Sequence, residues 1–339
     1  SANVCTVIIL FILKEYNLMM YVLLILGFLL LIKGADYFVD GASGIAKYYR
    51  IPPIIIGLTI VAFGTSAPEA AVSISAALKG SNGISLGNVL GSNIFNISVI
   101  IGITSFLSAL SVQKQTIRKE IPFTLLGGVA LLVLANDSIL NGTKQMVISQ
   151  SDGIILLLFF TVFLYYIVEA ALNSKEPQDN FLPESHRESL KLGPNLVYTL
   201  GGMAGIIIGG ELVVSSSVKI ATSFGISQTI IGLTIVSIGT SLPELITSIT
   251  AARKKNTDIA VGNIIGSNIF NVLFVLGISA SIHSIVVEPQ LILELFINII
   301  LTVVLFIFSR TNNKIVRGEG AVFILFYVVY MGYLLATNL

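Results

Sequence analysis

The feature that most limits what this chain can become is its repetition of itself. Sliding the sequence by 175 residues, without a gap, aligns Gly57-Leu58-Thr59-Ile60-Val61 with Gly232-Leu233-Thr234-Ile235-Val236. The same offset pairs Gly64-Thr65-Ser66-Ala67-Pro68-Glu69 with Gly239-Thr240-Ser241-Leu242-Pro243-Glu244, and Gly87-Asn88 with Gly262-Asn263. It also pairs Gly91-Ser92-Asn93-Ile94-Phe95-Asn96 with Gly266-Ser267-Asn268-Ile269-Phe270-Asn271. About 26 of the 47 positions from Gly57 to Ile103 are identical, far beyond what shared hydrophobicity gives. The chain is a duplicated unit.

Each copy is built for a bilayer. With 55% hydrophobic residues, 11% charged and a mean hydropathy of +0.93, the chain lies far from the composition of soluble domains. A net charge of only +1 provides no basic surface for nucleic acid. The single Cys5 excludes an intramolecular disulfide, thiol catalysis and a cysteine metal cluster. Apolar runs between polar breaks predict ten helices, over Met20–Ala46, Pro53–Leu78, Ile84–Leu107, Glu120–Ala135, Ile154–Leu172, Leu196–Ala221, Thr229–Ala252, Ile259–Ile282, Leu291–Ile307 and Ala321–Leu335. The run Val7 to Leu13 is too short to span, and it precedes Lys14 and Glu15 instead of following a positive charge as a signal peptide would. Residues 1–18 therefore read as a pre-sequence or an expression remnant. The remainder divides into a first five-helix repeat (19–172), a linker (173–193) and a second five-helix repeat (194–339).

Placing the N-terminus outside puts Lys47, Arg50, Lys114, Arg118, Lys119, Lys175, Arg187 and Lys191 on the cytoplasmic side. Arg253, Lys254, Lys255, Arg310, Lys314 and Arg317 join them there. Only Lys14, Lys79 and Lys144 remain outside, which satisfies the positive-inside rule and makes the 173–193 linker cytoplasmic and the C-terminus external. Five is odd, so the second copy enters the membrane from the opposite side. The expected architecture is an all-α, multi-pass cell-membrane protein of two inverted repeats, the plan of secondary transporters that rock about a mid-membrane site.

Glu69 and Glu244 fall inside their apolar spans, where an uncompensated charge costs roughly 2.5–3.5 kcal/mol even on the gentlest scale. Ser66-Ala67-Pro68-Glu69 and Ser241-Leu242-Pro243-Glu244 also fit a capping box with proline in the first turn, which would mark a helix restarting within the membrane. The two readings are compatible, because a restart frees backbone carbonyls that are tolerated only where they line a cavity or bind an ion. Ser92 and Asn96, and Ser267 and Asn271, are four apart and share a helical face in each copy. A lone Ser or Asn there is usually interhelical glue, but repetition in both copies favours ligands. Asn93 and Asn268 are expected to cap or brace. With the hydroxyls of Thr65, Ser66, Thr240 and Ser241 and carbonyls near Ala62 and Ser237, the donors are all oxygen, ample for the 6–8 ligands that calcium takes. His186 and His283 fall outside the spans, so soft metals are not expected.

Through its two GTSxPE and two GSNxFN blocks, over nearly all of residues 20–339, the chain resembles the sodium/calcium exchanger branch of the calcium/cation antiporter superfamily, of prokaryotic type. The resemblance implies a ten-helix fold with a diamond of cation sites at Glu69, Asn96, Glu244 and Asn271. Thr65, Ser66, Ser92, Thr240, Ser241 and Ser267 would fill the hydroxyl positions, and Ala62 and Ser237 the carbonyl positions. It implies that the first and sixth helices slide across this core, and that no cofactor is needed beyond transported Ca²⁺ and Na⁺. Relatives that co-transport potassium carry Asp where this chain has Asn271, which argues against potassium. Asp36, Asp40 and Glu211, with Lys33 and Lys219, lie on those two helices and either contact the gate or form local ion pairs.

The function expected is secondary antiport of Na⁺ against Ca²⁺ by alternating access, running as calcium export under an inward sodium gradient. Two carboxylates balance one Ca²⁺, two Na⁺ or two H⁺ by charge, so a three-sodium stoichiometry is only what the resemblance implies. The alternative is H⁺/Ca²⁺ antiport, since protonation of two buried acids would also eject calcium. Potassium-dependent exchange, a passive channel and an intramembrane hydrolase rank lower, the last because no nucleophile–His pair exists in the spans. The lipid bilayer is the one macroscopic partner expected. A monomer is the simplest case, and the sequence leaves the oligomeric state open.

Overall fold

The computed structural model describes residues 2–78, 82–136, 145–173, 192–224 and 237–338, and these are mostly helical. The chain starts with α1 (Ala2–Tyr49), one continuous helix that takes in residues 2–18 as well as the first apolar run. Next come α2 (Pro53–Ile56), a π-helical turn Gly57–Val61, α3 (Ala62–Thr65) and α4 (Ala67–Leu78). The helix α5 (Asn82–Phe95) continues through a π-helical turn Asn96–Ile100 into α6 (Ile101–Leu107). The two-residue strand β1 (Leu110–Ser111), the short α7 (Lys114–Arg118), α8 (Glu120–Leu134), β2 (Val147–Ile148) and α9 (Gln150–Asn173) complete the first half.

The second half follows the same order. It comprises α10 (Leu192–Ser223), α11 (Ser237–Thr240), α12 (Leu242–Arg253) and α13 (Thr257–Ile269), then a π-helical turn Phe270–Val275 leading into α14 (Leu276–Ile282). After β3 (Ile285–Val286) come α15 (Pro289–Arg310), β4 (Lys314–Ile315) and α16 (Arg317–Asn338). Residues 174–191 of the linker and the Gly232–Val236 half of the duplicated block lie outside the described residues.

Among the described residues, six helical runs are long and apolar enough to cross a bilayer: Met19–Tyr49, Ile84–Leu107, Gln150–Asn173, Leu192–Ile220, Thr257–Ile282 and Leu291–Arg310. A seventh, Pro53–Thr65 with Ala67–Leu78, is bent by 50°. The 15-residue α8 falls short of the roughly 20 residues that a straight crossing needs. Burial sorts centre from rim: Thr257–Ile282 is 94% and Ile84–Leu107 78% buried, against 22–33% for the other four. The exposed faces of the rim helices are apolar, with Ile25, Leu29, Leu158, Tyr165 and Leu200 turned outward, as lipid contact requires.

Glycines set how closely the helices approach. A Cβ on Gly202 would come within 2.4 Å of the Phe38 amide nitrogen, and one on Gly34 within 2.7 Å of that of Ile206, so α1 and α10 cross backbone to backbone. A Cβ on Gly262 would come within 2.6 Å of the Ile54 carbonyl, and one on Gly266 within 2.7 Å of the Leu58 carbonyl. That contact seats the first half of the bent span directly on α13.

The short strands join opposite halves. β1 pairs antiparallel with β4 (Leu110 with Ile315) and β2 with β3 (Ile148 with Ile285), so Leu110 and its repeat mate Ile285 each bridge to the other half of the chain.

Candidate cation site

The site begins with a defect in a helix. Pro68 has no N–H, so the carbonyl of Gly64 loses its usual helical donor, and the chain turns at Ser66 (φ −83°, ψ 7°) before α4 restarts. Pro243 does the same at Ser241 (φ −88°, ψ 4°) ahead of α12. Glu69 and Glu244 thus stand in the first turn of a restarted helix, where the exposed N–H groups favour a negative charge. Both are completely buried.

The capping box does not form. Ser241 makes no side-chain cap; its hydroxyl donates instead to Glu69 Oε1 at 3.1 Å, and Ser66 donates to Glu244 Oε1 at 2.7 Å. Each break therefore supplies a hydroxyl to the other half's carboxylate, which brings the two acids face to face. The central helices add a second donor to the same oxygens: Ser92 to Glu69 Oε1 at 3.5 Å and Ser267 to Glu244 Oε1 at 3.4 Å. Glu69 Oε2 and Glu244 Oε2 are buried and meet no donor among the described residues.

The asparagines repeat this arrangement. Asn93 Nδ2 donates to the Asn268 carbonyl at 3.3 Å, so its Oδ1 is left to accept, and it accepts from Asn271 Nδ2 at 3.1 Å. That bond turns Asn271 Oδ1 away. Asn96 likewise donates Nδ2 to Asn268 Oδ1 at 3.0 Å, which turns Asn96 Oδ1 away. Both outward amide oxygens are buried and without a donor among the described residues. Asn96 opens one π-helical turn and Asn271 sits in another; such insertions re-aim side chains and cluster at functional sites. Asn93 and Asn268 therefore brace, as the sequence suggests.

The threonines stand beside the acids as well, Thr240 at the Glu69 carboxylate and Thr65 at that of Glu244, and they also reach the central asparagines. Thr65 Oγ1 donates to Asn263 Oδ1 at 3.0 Å, and Thr240 Oγ1 approaches Asn88 Oδ1 at 3.5 Å. The Ala62 carbonyl already receives the Ser66 N–H at 3.0 Å, while the Ser241 N–H turns to Ile238, three residues back, at 3.2 Å. Ser237 opens α11.

Two residues that the sequence reading passed over complete the frame. Asn88 Nδ2 donates to the Glu69 carbonyl at 3.2 Å and to Ser73 Oγ at 3.0 Å; Asn263 does the same with the Glu244 carbonyl at 3.4 Å and Ser248 at 3.0 Å. They tie each restarted helix to the central helix of its own half. Their signal was present, since Gly87-Asn88 and Gly262-Asn263 are themselves part of the repeat.

Of the charged residues on the first and sixth helices, Lys33 and Asp36 form an exposed pair at 3.9 Å. Asp36 and Asp40 also receive Lys254, whose Nζ lies 2.8 Å from the Asp36 carbonyl oxygen and 2.8 Å from Asp40 Oδ1.

Residues 19–168 and 194–336 match the family described as sodium/calcium exchanger protein. The chain is 34% identical over 341 residues to the sodium/calcium exchanger MaX1 of Methanosarcina acetivorans, covering 92% of this chain and 97% of the relative. It is 39% identical over 271 residues to the inner membrane protein YrbG of Escherichia coli, covering 79% and 81%. Its fold matches the solved structure of the sodium-calcium exchanger NCX_Mj soaked with 10 mM Na⁺ and zero Ca²⁺, with a TM-score of 0.81 and 30% identity over 93% of this chain and 99% of that one.

Proposed function

The chain belongs to the sodium/calcium exchanger family, and on that premise we propose that it exchanges Na⁺ for Ca²⁺ across the cell membrane at a site shared by its two halves. Membership makes it a calcium/cation antiporter and not an enzyme. The finer reading is ours: ten spans as two inverted five-helix repeats, termini outside, linker 173–193 cytoplasmic. The observation that carries it is the set of four buried, donorless oxygens, Glu69 Oε2, Glu244 Oε2, Asn96 Oδ1 and Asn271 Oδ1. Leaving a buried acceptor unpaired costs about 1–3 kcal/mol, and more for a charged group. Four unpaired together, related by one offset, suit an ion that supplies the missing positive charge.

Na⁺ and Ca²⁺ are both hard cations that take oxygen ligands, so they compete for these atoms. With the site empty, the two carboxylates face each other uncompensated, and moving them past the apolar walls is costly. Loading removes that cost. The halves then rock only when occupied, and the antiport is obligatory. Serine hydroxyls reaching across from each half make the ion's neutralisation felt by both halves together.

The experiment is calcium uptake into proteoliposomes under an imposed sodium gradient at fixed pH. Glu69→Gln and Glu244→Gln keep an acceptor for Ser241 and Ser66 but remove the charge. Each should lower uptake about a hundredfold or more, in line with the 2–5 kcal/mol cost of stranding one member of a buried charged set. Uptake driven by a pH gradient and indifferent to sodium would instead select the proton-coupled reading. Undiminished sodium-driven uptake in both variants would remove these acids from the site.

A further inference from the structure

A cavity of about 390 Å³ lies away from the acids, where α7 and the start of α8 meet the end of α15. Lys114, Arg118 and Arg310 line it, joined by Asn313 from the turn before β4, where Asn312 and Asn313 take positive φ of 58° and 52°. Its remaining walls are Ile117, Pro122 and Phe306, and no acidic residue lines it. Among the described residues none of the three cations has an ion-pair partner, the pairs there being Lys33–Asp36, Lys254–Asp36 and Lys254–Asp40. Arg310 instead lies over the Phe306 ring, 5.5 Å from its centroid. The two walls are fastened together by β1 pairing with β4 and by the Val112 N–H donating to the Asn313 carbonyl at 2.9 Å. The cavity is therefore framed by backbone, not by side chains alone.

The depth of the walls identifies the ligand. Pro122 stands in the first turn of α8, beyond the turn at Lys119 that ends α7, and Phe306 one turn before Arg310 on α15; in the proposed orientation both lie nearer the membrane interior than the two arginines, with the cations toward the rim and the apolar groups toward the floor. A phosphate oxyanion suits the rim, since guanidinium groups pair with it in a fork geometry. A free phosphate would gain nothing from the floor, whereas an acyl chain or glycerol backbone would. The internal duplicate separates a site from general helix-end chemistry: Lys114, Arg118 and Pro122 correspond at the 175 offset to Pro289, Leu293 and Ile297, which carry no charge.

We propose that this cavity binds the phosphate headgroup of an anionic phospholipid, in the proposed orientation one of the cytoplasmic leaflet, where basic pockets between helices hold such lipids. The full-length chain, purified and exposed to mixed phosphatidylglycerol and phosphatidylcholine, is examined by native mass spectrometry for retained lipid. Phosphatidylglycerol should be retained preferentially. Arg118→Gln with Arg310→Gln should reduce that retention about tenfold or more, Arg118→Lys with Arg310→Lys should keep part of it, and millimolar inorganic phosphate should not displace it. Lys47→Gln with Arg317→Gln, which removes the same charge elsewhere, should leave it unchanged. Equal retention by the glutamine variant, equal loss in the control pair, or displacement by inorganic phosphate would each overturn the assignment. Monodisperse elution of every variant guards against reading misfolding as lost binding.

Discussion

Two of the four outward oxygens at the site owe their direction to side chains that carry none of its charge. Asn93 is held by a backbone carbonyl, and that bond decides which end of the Asn271 amide is left without a partner. Asn93→Ala removes no candidate ligand, yet it frees the Asn271 amide to rotate and present its NH₂ to the ion. The expected result is an apparent calcium affinity lowered about tenfold, roughly the 1.4 kcal/mol worth of one well-placed hydrogen bond, with maximal rate nearly kept. Sodium-driven uptake over a calcium series separates the two quantities; a fall in maximal rate at unchanged affinity would mean that Asn93 only supports the fold. This positioning role was partly legible. Repetition flags Asn93 and Asn268 along with the candidate ligands, and adjacency to Ser92 and Ser267 turns them to another face. The sequence could not show that Ser66 and Ser241 serve the opposite half: the S-x-x-E spacing favours a local cap, and only the facing of the two breaks makes the longer-range acceptor available.

Among the helices, α1 and α10 cross through glycine with backbones in contact, which gives a smooth seam, while Lys254 at the end of α12 holds α1 to the core. A glycine seam leaves no interdigitated side chains to resist sliding, so a polar bond across it is a lever out of proportion to its strength. The Lys254 side chain is 27% exposed and that of Asp40 58%, so the pair is worth about 1 kcal/mol or less, near a fivefold shift in a two-state balance. Lys254→Met keeps the stem and drops the charge. Half-saturation for calcium measured on the two faces of oriented vesicles should then diverge from the native ratio by about that factor. Asp40→Asn should reproduce the change, and the double variant should add little to either. Full additivity would mean that the two residues act apart. Lys254 and Asp36 are 218 residues apart, not a repeat offset, so nothing in the chain announces their meeting. The bend at Ser66 was implied by Pro68, but hydropathy alone joins Pro53–Leu78 into one run, and the π-helical turns leave no mark in composition.

Taken whole, the molecule is two copies that complete one another. Six predicted spans recur within a few residues of their expected ends, because a long apolar run between charges has little else to become in a bilayer. The odd number of helices per copy, inferred from the same runs, is what makes the proposed arrangement of the copies an inverted one. Pairing between halves was not legible, since β1, β2, β3 and β4 are two residues each and too short to show alternation. Yet these strands and the serine exchange carry a consequence for assembly. Each carboxylate draws hydroxyls from its own half and from the other, and each strand pair spans both halves, so neither half alone presents a finished site. Separate expression of residues 1–172 and 194–339 tests this. Together they should co-purify and recover sodium-driven calcium uptake, because the contacts that build the site lie outside 173–193. Either alone should give none, since its buried glutamate would lack the serine that faces it. Transport by a single half would show that two identical copies can satisfy the same oxygens, and that the sequence differences between the halves are dispensable for exchange.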